Sequence, residues 1–408
     1  ETELARFNLA EFKIGESGFS GSALGGKYST SYIAGATVFL DSNFNGLLDD
    51  NEPVTVTDSN GNYNLEFDIK YYDTNGNGKL DDEEGQIVTI GGVDTSSGVP
   101  ITNKMVGSVE SSMLTPITNL QNLLVKEKLV DSPDAGEELI IDKLGLPKTG
   151  SLKDDDPIAK IGGDEQAVKK AGVEFYLAHV ELQNLVTHAN AMLQGANPEF
   201  DSIDLQKLVT QGLAQAFISE QASFDLSDAS DVEFIFQEIV KQSTTAVTSK
   251  EEEEEGNLAN TAENLGQEIS ADVIATAAQM VAEANALIDQ MATEGGKQNL
   301  ELVMPIVAPI KRTTQGQLTT ITKKLAAGEL TIEDAKSDFT AKLEAGNRLE
   351  QQLISDTRKV KVYSTGDGEI DENSDKNIEI VIELGEPAPN QGVNILYNIS
   401  GTAIEGED

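Results

Sequence analysis

The hydrophobic period of this 408-residue chain changes twice, and each change limits which secondary structure a segment can adopt. Apolar residues at every second position put one face of a strand in a core; three-four spacing does the same for a helix. Up to about residue 107 the short apolar runs read as strands. Ile33-Ala-Gly-Ala-Thr-Val-Phe-Leu40 is one, Val54-Thr-Val-Thr57 a second and Gln86-Ile-Val-Thr-Ile90 a third. Between Thr55-Val-Thr57 and Tyr63-Asn-Leu-Glu-Phe67, Asn60-Gly61 is the dipeptide of a tight hairpin. From about 108 to 355 the spacing turns helical, most clearly over 114–125, 166–193, 205–218, 232–247 and 271–291. Glycine and proline at Gly145-Leu-Pro147, Gly295-Gly296, Pro305 and Pro309 punctuate this stretch into about eight helices. Alternation returns in Ile378-Glu-Ile-Val-Ile-Glu-Leu384 and Val393-Asn-Ile-Leu-Tyr-Asn-Ile399. The expected architecture is multidomain α+β: a β-sandwich over 1–107, an all-α helical domain over 108–356, and an incomplete β-sandwich over 357–408.

Two stretches inside the first segment repeat one pattern of oxygen-bearing side chains. Asp41-Ser-Asn43-Phe-Asn45-Gly46-Leu47-Leu-Asp49-Asp-Asn-Glu52 and Asp73-Thr-Asn75-Gly-Asn77-Gly78-Lys79-Leu-Asp81-Asp-Glu-Glu84 match position for position. A Ca²⁺ ion takes hard oxygens, and a twelve-residue loop supplies them from positions 1, 3, 5, 7, 9 and 12, with glycine at 6 for the sharp turn. The candidate ligands are therefore Asp41, Asn43, Asn45, the Leu47 carbonyl, Asp49 and Glu52, and Asp73, Asn75, Asn77, the Lys79 carbonyl, Asp81 and Glu84. Acidic Asn/Gly-rich turns also occur for backbone reasons alone. Two such matches in one chain make calcium the better reading. Paired asparagines lower the ligand charge of each loop, so the expected affinity is weak, with Kd on the order of 10⁻⁵ to 10⁻³ M. Because the flanking segments read as strands, no helix–loop–helix is expected.

Composition narrows the function classes. With 29 basic against 70 acidic residues the formal charge is −41. Nucleic-acid affinity rests on Lys and Arg neutralising phosphates, so such a polyanion is excluded as a partner. Anionic membrane surfaces are disfavoured for the same reason, and no apolar run approaches the roughly 20 residues a bilayer span needs. Cysteine is absent, which removes disulfides, thiolate metal sites and thiol catalysis. A medium rich in divalent cations suits this charge, because it screens or ligates the carboxylates. The chain starts without Met or a signal peptide, which reads as a processed protein or a piece of a longer one.

Catalytic constellations do not emerge. The two histidines, His179 and His188, are nine residues apart, which places them on opposite faces of one helix as surface or boundary residues that cannot share a metal. Neither a nucleophile–base pair nor a phosphate-binding glycine loop is present. Glycosidase-type pairs need only two acids at the right separation, and 70 acids hide any such pattern. The run Glu251-Glu-Glu-Glu-Glu255 reads as solvated charge at a helix start or loop. A non-enzymatic role is expected.

Residues 33–67 resemble the calcium-bearing β-sandwich modules of bacterial surface adhesins, the serine-aspartate-repeat B type and their prealbumin-like relatives. The resemblance rests on Gly35-Ala-Thr-Val-Phe-Leu-Asp41-Ser-Asn-Phe-Asn-Gly46, on Glu52-Pro53 and on Thr57-Asp-Ser-Asn-Gly-Asn-Tyr63. More loosely, Leu114-Thr-Pro-Ile-Thr-Asn-Leu120, Leu144-Gly-Leu-Pro147 and Asp156-Pro157 are similar to a helical segment that recurs in large secreted proteins of marine and cyanobacterial type. The ending Val393 to Asp408 is similar to the end of a Calx-beta repeat, which implies Glu405, Glu407 and Asp408 as further calcium ligands. Together these resemblances imply a secreted, cell-surface, calcium-stabilised structural or adhesive segment. Self-association, other surface proteins or glycans are its expected partners. Two alternatives stand beside this reading: a surface-layer or fibre subunit assembled by strand pairing, and a calcium-dependent carbohydrate-binding or carbohydrate-active protein.

Overall fold

The computed structural model describes residues 22–28, 32–148, 150–198, 202–251, 269–296, 300, 303–357, 360–364 and 380–384. It is mixed α+β and divides into two compact units, Glu1–Gly346 and Asn347–Asp408. The change from strands to helices near residue 107 is therefore a change of secondary structure inside the first unit.

Among the described residues nine strands form the β part of that unit: β1 (Ser22–Tyr28), β2 (Ile33–Ala34), β3 (Thr37–Asp41), β4 (Val54–Val56), β5 (Asn62–Phe67), β6 (Gln86–Ile90), β7 (Val93–Asp94), β8 (Met105–Gly107) and β9 (Met113–Leu114). One sheet has the order β4-β3-β6-β8 and is antiparallel throughout. A second has the order β5-β1-β9, with β1 antiparallel to β5 and parallel to β9. A short β2-β7 pair makes the third. Strand β3 lies between two neighbours, and its Val38, Phe39 and Leu40 are all fully buried, which explains an unbroken apolar run where a half-exposed strand would alternate. In β5, by contrast, Tyr63, Leu65 and Phe67 are buried while Asn64 and Glu66 are exposed. The two larger sheets share one core, in which Val38, Leu40 and Ile87 meet Tyr63, Leu65 and Phe67.

The expected hairpin is corrected. A tight turn does form, closed by hydrogen bonds from the Asp58 N–H to the Asn62 carbonyl (2.9 Å) and from the Gly61 N–H to the Asp58 carbonyl (3.0 Å). However, β4 pairs with β3 and β5 with β1, so the turn carries the chain from one sheet to another. Val54 and Val56 of β4 are exposed, whereas the alternating face of β5 is buried against the four-stranded sheet. Burial of that face decides the pairing over the turn signal.

Helices follow from α1 (Pro116–Lys126), α2 (Pro133–Lys143) and α3 (Pro157–Ile161). Each starts with a capping side chain followed by proline, the arrangement that satisfies a free N–H and presets the first turn. Thr115 and Thr118 cap reciprocally, Ser132 accepts from Ala135 N–H, and Asp156 accepts from the Ile158 and Ala159 N–H groups. Helix α4 (Gln166–Ala196) then threads the centre. Around it lie α5 (Ser202–Phe217), α6 (Ala229–Glu251), α7 (Ala271–Gly296), α8 (Val303–Arg312) and α9 (Thr319–Ala326), and α10 (Ile332–Thr357) follows in the chain. Leu182, Leu185 and Ala189 of α4 pack with Leu213, Phe217, Phe236 and Val281 in the largest apolar cluster. On another side, Val173, Tyr176 and Val180 meet Ile288, Val307 and Ile310.

Two helical readings are corrected as well. Pro309 lies inside α8 instead of ending a helix. It lacks an N–H, and the six residues after the end of α8, Thr313–Leu318, wind as a π-helix before α9 begins. Thr313 Oγ1 donates to the Pro309 carbonyl (3.1 Å) and Thr314 Oγ1 to that of Ile310 (2.8 Å), so side chains reinforce the altered turn. His179 and His188 are not at the surface: both are buried. His188 bonds to Thr322 Oγ1 (2.8 Å) and the Thr314 carbonyl (3.2 Å), with burial lowering its pKa to about 4; burial lowers that of His179 to about 3. The polar contacts that accommodate His188 come from residues more than a hundred positions away.

In the second unit β10 (Val360–Ser364) and β11 (Ile380–Leu384) pair antiparallel, with Val362 opposite Ile382. The strand expected over 393–399 and Glu405, Glu407 and Asp408 lie outside the described residues. No helix among the described residues is long and apolar enough to cross a membrane.

Candidate metal centre

Antiparallel pairing of β3 with β6 brings the two twelve-residue stretches to one end of the same sheet. Asp41, the first position of the first loop, is the last residue of β3 and lies opposite Gln86, two residues after Glu84 ends the second loop. The first loop joins β3 to β4, and the second leads from a 3₁₀ turn, Ile69–Tyr71, into β6. Neither is framed by a pair of helices.

Inside each loop the side chains hold the same backbone groups. The first carboxylate takes the amides of positions 5 and 6: Asp41 accepts from Asn45 (3.2 Å) and Gly46 (2.8 Å), and Asp73 from Asn77 (3.1 Å) and Gly78 (2.7 Å). Asparagines at positions 3 and 5 both turn onto the aspartate at position 9. Asn43 and Asn45 Nδ2 donate to one oxygen, Asp49 Oδ2, at 2.7 and 2.9 Å; Asn75 and Asn77 Nδ2 donate to Asp81 Oδ2 at 2.8 and 2.6 Å. Glutamate at position 12 then clamps the ends. Glu52 accepts from Ser42 N–H (2.9 Å) and Asp49 N–H (3.2 Å), and Glu84 from Thr74 N–H (2.6 Å), Asn75 N–H (2.9 Å) and Asp81 N–H (3.1 Å). These backbone donors, Asn75 first, hold the Glu84 carboxyl below its ordinary pKa. Positive φ at Gly46 (71°) and Gly78 (81°) supplies the turn that position 6 demands.

The donor set fits a hard divalent cation. Each loop carries in its sequence three carboxylates, two amide groups and a backbone carbonyl, the oxygens Ca²⁺ prefers. Among the described residues no three Asp, Glu or His side chains alone form a metal-holding group, so amide and carbonyl oxygens have to complete either set. Asn43, Asn45, Asn75 and Asn77 now direct Nδ2 at an aspartate. Their amide oxygens accept from the N–H two residues on, Asn43 from Asn45 (3.1 Å), Asn45 from Leu47 (2.6 Å), Asn75 from Asn77 (3.0 Å) and Asn77 from Lys79 (2.8 Å), so turning an oxygen toward a cation would exchange one of these bonds for the metal contact.

Sequence patterning missed the cations around the first loop. Gln86 Nε2 donates to Asp41 Oδ2 (2.7 Å), and Gln86 in turn accepts from Lys126 Nζ of α1. Lys126 lies 4.4 Å from the centre of the Phe44 ring, and burial lowers its pKa to about 8 against the opposing charges of Asp82 and Asp41. Lys104 Nζ bonds the Gly46 carbonyl (2.9 Å). These contacts depend on strand register and on where α1 crosses the sheet, and no local motif announces either. Comparison with known protein families, with curated proteins and with solved structures finds no match to this chain.

Proposed function

We propose that the two loops bind calcium and that the chain is an extracellular, calcium-stabilised structural or adhesive segment of a bacterial cell surface, not an enzyme. The observation that carries this reading is the shared internal pattern of the loops, in which positions 1, 3, 5, 9 and 12 make equivalent bonds at a constant offset. Chance acidic turns have no reason to share five roles. Bound calcium would supply positive charge to three carboxylates per loop. The chain's own residues do the rest: Asp41 and Asp73 fix the turn, and Glu52 and Glu84 tie the loop ends together. Since the first loop leaves β3 and the second enters its neighbour β6, ordering them stiffens one end of the four-stranded sheet. The β part would then act as a small sandwich whose rigidity depends on the ion, in keeping with the adhesin-like pattern of residues 33–67 and a charge of −41.

Binding to the folded loops alone stabilises by mass action, about 2.7 kcal/mol per site at a hundredfold excess over Kd. The test is the melting temperature of the full chain with calcium and with chelator, in wild type and in the Asp41→Ala/Asp73→Ala double variant. A calcium-dependent rise in wild type, lost in the variant, is expected. An identical melt for wild type in calcium and in chelator overturns the reading.

A further inference from the structure

Away from the loops, the first unit holds a cavity of about 390 Å³, in the size range of small-ligand sites. Its walls come from α4, α5, the π-helical turn, α9 and the segment 99–103. The chemistry of this lining is unusual for so acidic a chain. Not one Asp or Glu contributes; six side-chain amides and four threonines do, with Val99, Pro100, Ile101 and Leu205 as apolar neighbours. Lys323, its one charged residue, already donates to Gln194 Oε1 (3.1 Å).

The amides orient one another. Asn190 Nδ2 donates to Asn103 Oδ1 (3.1 Å) and Gln206 Oε1 (3.0 Å), while Asn103 Nδ2 and Gln183 Nε2 both donate to Thr187 Oγ1 (3.1 and 2.9 Å). That arrangement leaves Gln183 Oε1, Asn190 Oδ1 and Gln206 Nε2 buried and without partners. Three orphaned amide atoms on the residues of one cavity wall are costly, because buried polar groups are normally satisfied. They lie within the wall with almost no accessible surface, so a ligand meets them only when their side chains rotate toward the cavity; they then ask for two donors and one acceptor. Hydroxyl groups offer both, and they still fit if an amide turns over and exchanges its oxygen and nitrogen. The π-helical turn exposes Gly316 at the rim, a kind of irregularity that often marks functional sites.

We infer that this cavity binds a neutral, hydroxyl-rich small molecule, a monosaccharide or the terminal sugar of a glycan, through Gln183, Asn190 and Gln206. This goes beyond the calcium reading and does not rest on it. No aromatic side chain lines the cavity, so recognition relies on hydrogen bonds and on C–H contact with the apolar neighbours.

Titration calorimetry of the full chain in chelator, with glucose, galactose, mannose, N-acetylglucosamine, their disaccharides and glucuronate, tests the inference apart from the metal. Saturable binding of at least one neutral sugar is expected. Preference for the disaccharide assigns a glycan end and preference for the monosaccharide a free sugar, and both support the site. Asn190→Leu should weaken binding about tenfold, the effect of one lost hydrogen bond. Should that variant fail to fold, Gly316→Trp serves: a Cβ at Gly316 meets nothing within 4 Å, so the side chain can plug the mouth with an unchanged melt. No binding of any neutral sugar, binding of glucuronate alone, or undiminished binding by a folded Gly316→Trp protein would each overturn the inference, leaving a water-filled cavity.

Discussion

Glu84 shows how one side chain can organise a loop before any ion arrives. Its two oxygens accept from three backbone amides and from Thr74 Oγ1, which keeps the carboxylate ionised below the usual range. Glu84→Gln keeps one acceptor and places a donor against the Asp81 N–H. The variant should melt lower than wild type in chelator and lose the second loop's share of the calcium response. A carboxyl with a lowered folded pKa adds stability above its unfolded value of about 4.5 and loses it as pH falls further. The wild-type advantage over Glu84→Gln, read from melts at pH 7 and in mild acid, should therefore shrink on acidification. His188 has the same sign at higher pH. Its folded pKa of about 4 lies below the ordinary 6.5, so the native state resists a proton that the unfolded chain accepts. Stability is full above pH 6.5 and falls as pH drops towards 4. Half-buried Glu181 and Asp289 act oppositely, since desolvation raises both and favours their protonated forms in the fold. Comparing wild type with His188→Gln isolates the histidine: urea unfolding should show wild type losing about 2 kcal/mol relative to the variant between pH 7 and pH 5. Parallel pH profiles would refute it.

At the scale of elements, Lys311 of α8 and Asp94 of β7 form an ion pair in which both side chains are fully buried. Burial alone would raise Asp94, but the ammonium of Lys311 and the Ser96 and Ser97 groups hold its carboxyl below the ordinary value. Removing one partner strands the other charge. Lys311→Met should cost about 3–5 kcal/mol in denaturant unfolding, and Asp94→Leu with Lys311→Met less than the sum of the single changes. Helix packing sets a second limit. An added Cβ on Gly212 of α5 would lie 2.3 Å from the Ile239 Cα of α6, so Gly212→Ala should destabilise by about 1–3 kcal/mol despite alanine's better helix propensity. What could be read in advance divides along the same line. The long periodic run of α4 is a local signal and folds where its residues place it; Thr115-Pro116, Ser132-Pro133 and Asp156-Pro157 are equally local helix starts that a reading by periodicity alone passes over. The partners of β4 and β5, the continuation of α8 through Pro309, the burial of both histidines and the amide cavity all depend on contacts between distant residues. Asn103 and Gln206, for instance, meet on Asn190 through two different elements, and no window of sequence contains all three.

For the molecule as a whole, a formal charge of −41 means that any added salt relieves repulsion, so a rise in melting temperature with calcium is not by itself proof of a site. Screening grows gradually with ionic strength and follows the amount of charge, whichever cation carries it. Occupation of a site saturates, and it discriminates, because Mg²⁺ is smaller and holds its waters more tightly than Ca²⁺. The two loops should also differ from each other. Lys126 and Lys104 place positive charge beside the first, whereas among the described residues no cation is bonded to a carbonyl of the second. At matched ionic strength, sodium chloride should give a shallow, unsaturated rise. Calcium should add a step with a midpoint in the range of about 10⁻⁵ to 10⁻³ M, magnesium a weaker one. Asp73→Ala should remove the tighter phase and Asp41→Ala the weaker, and Lys104→Ala should tighten the first loop by removing a competing charge. Equal effects of calcium and sodium at every ionic strength would assign the whole response to screening and leave the loops as metal-free turns.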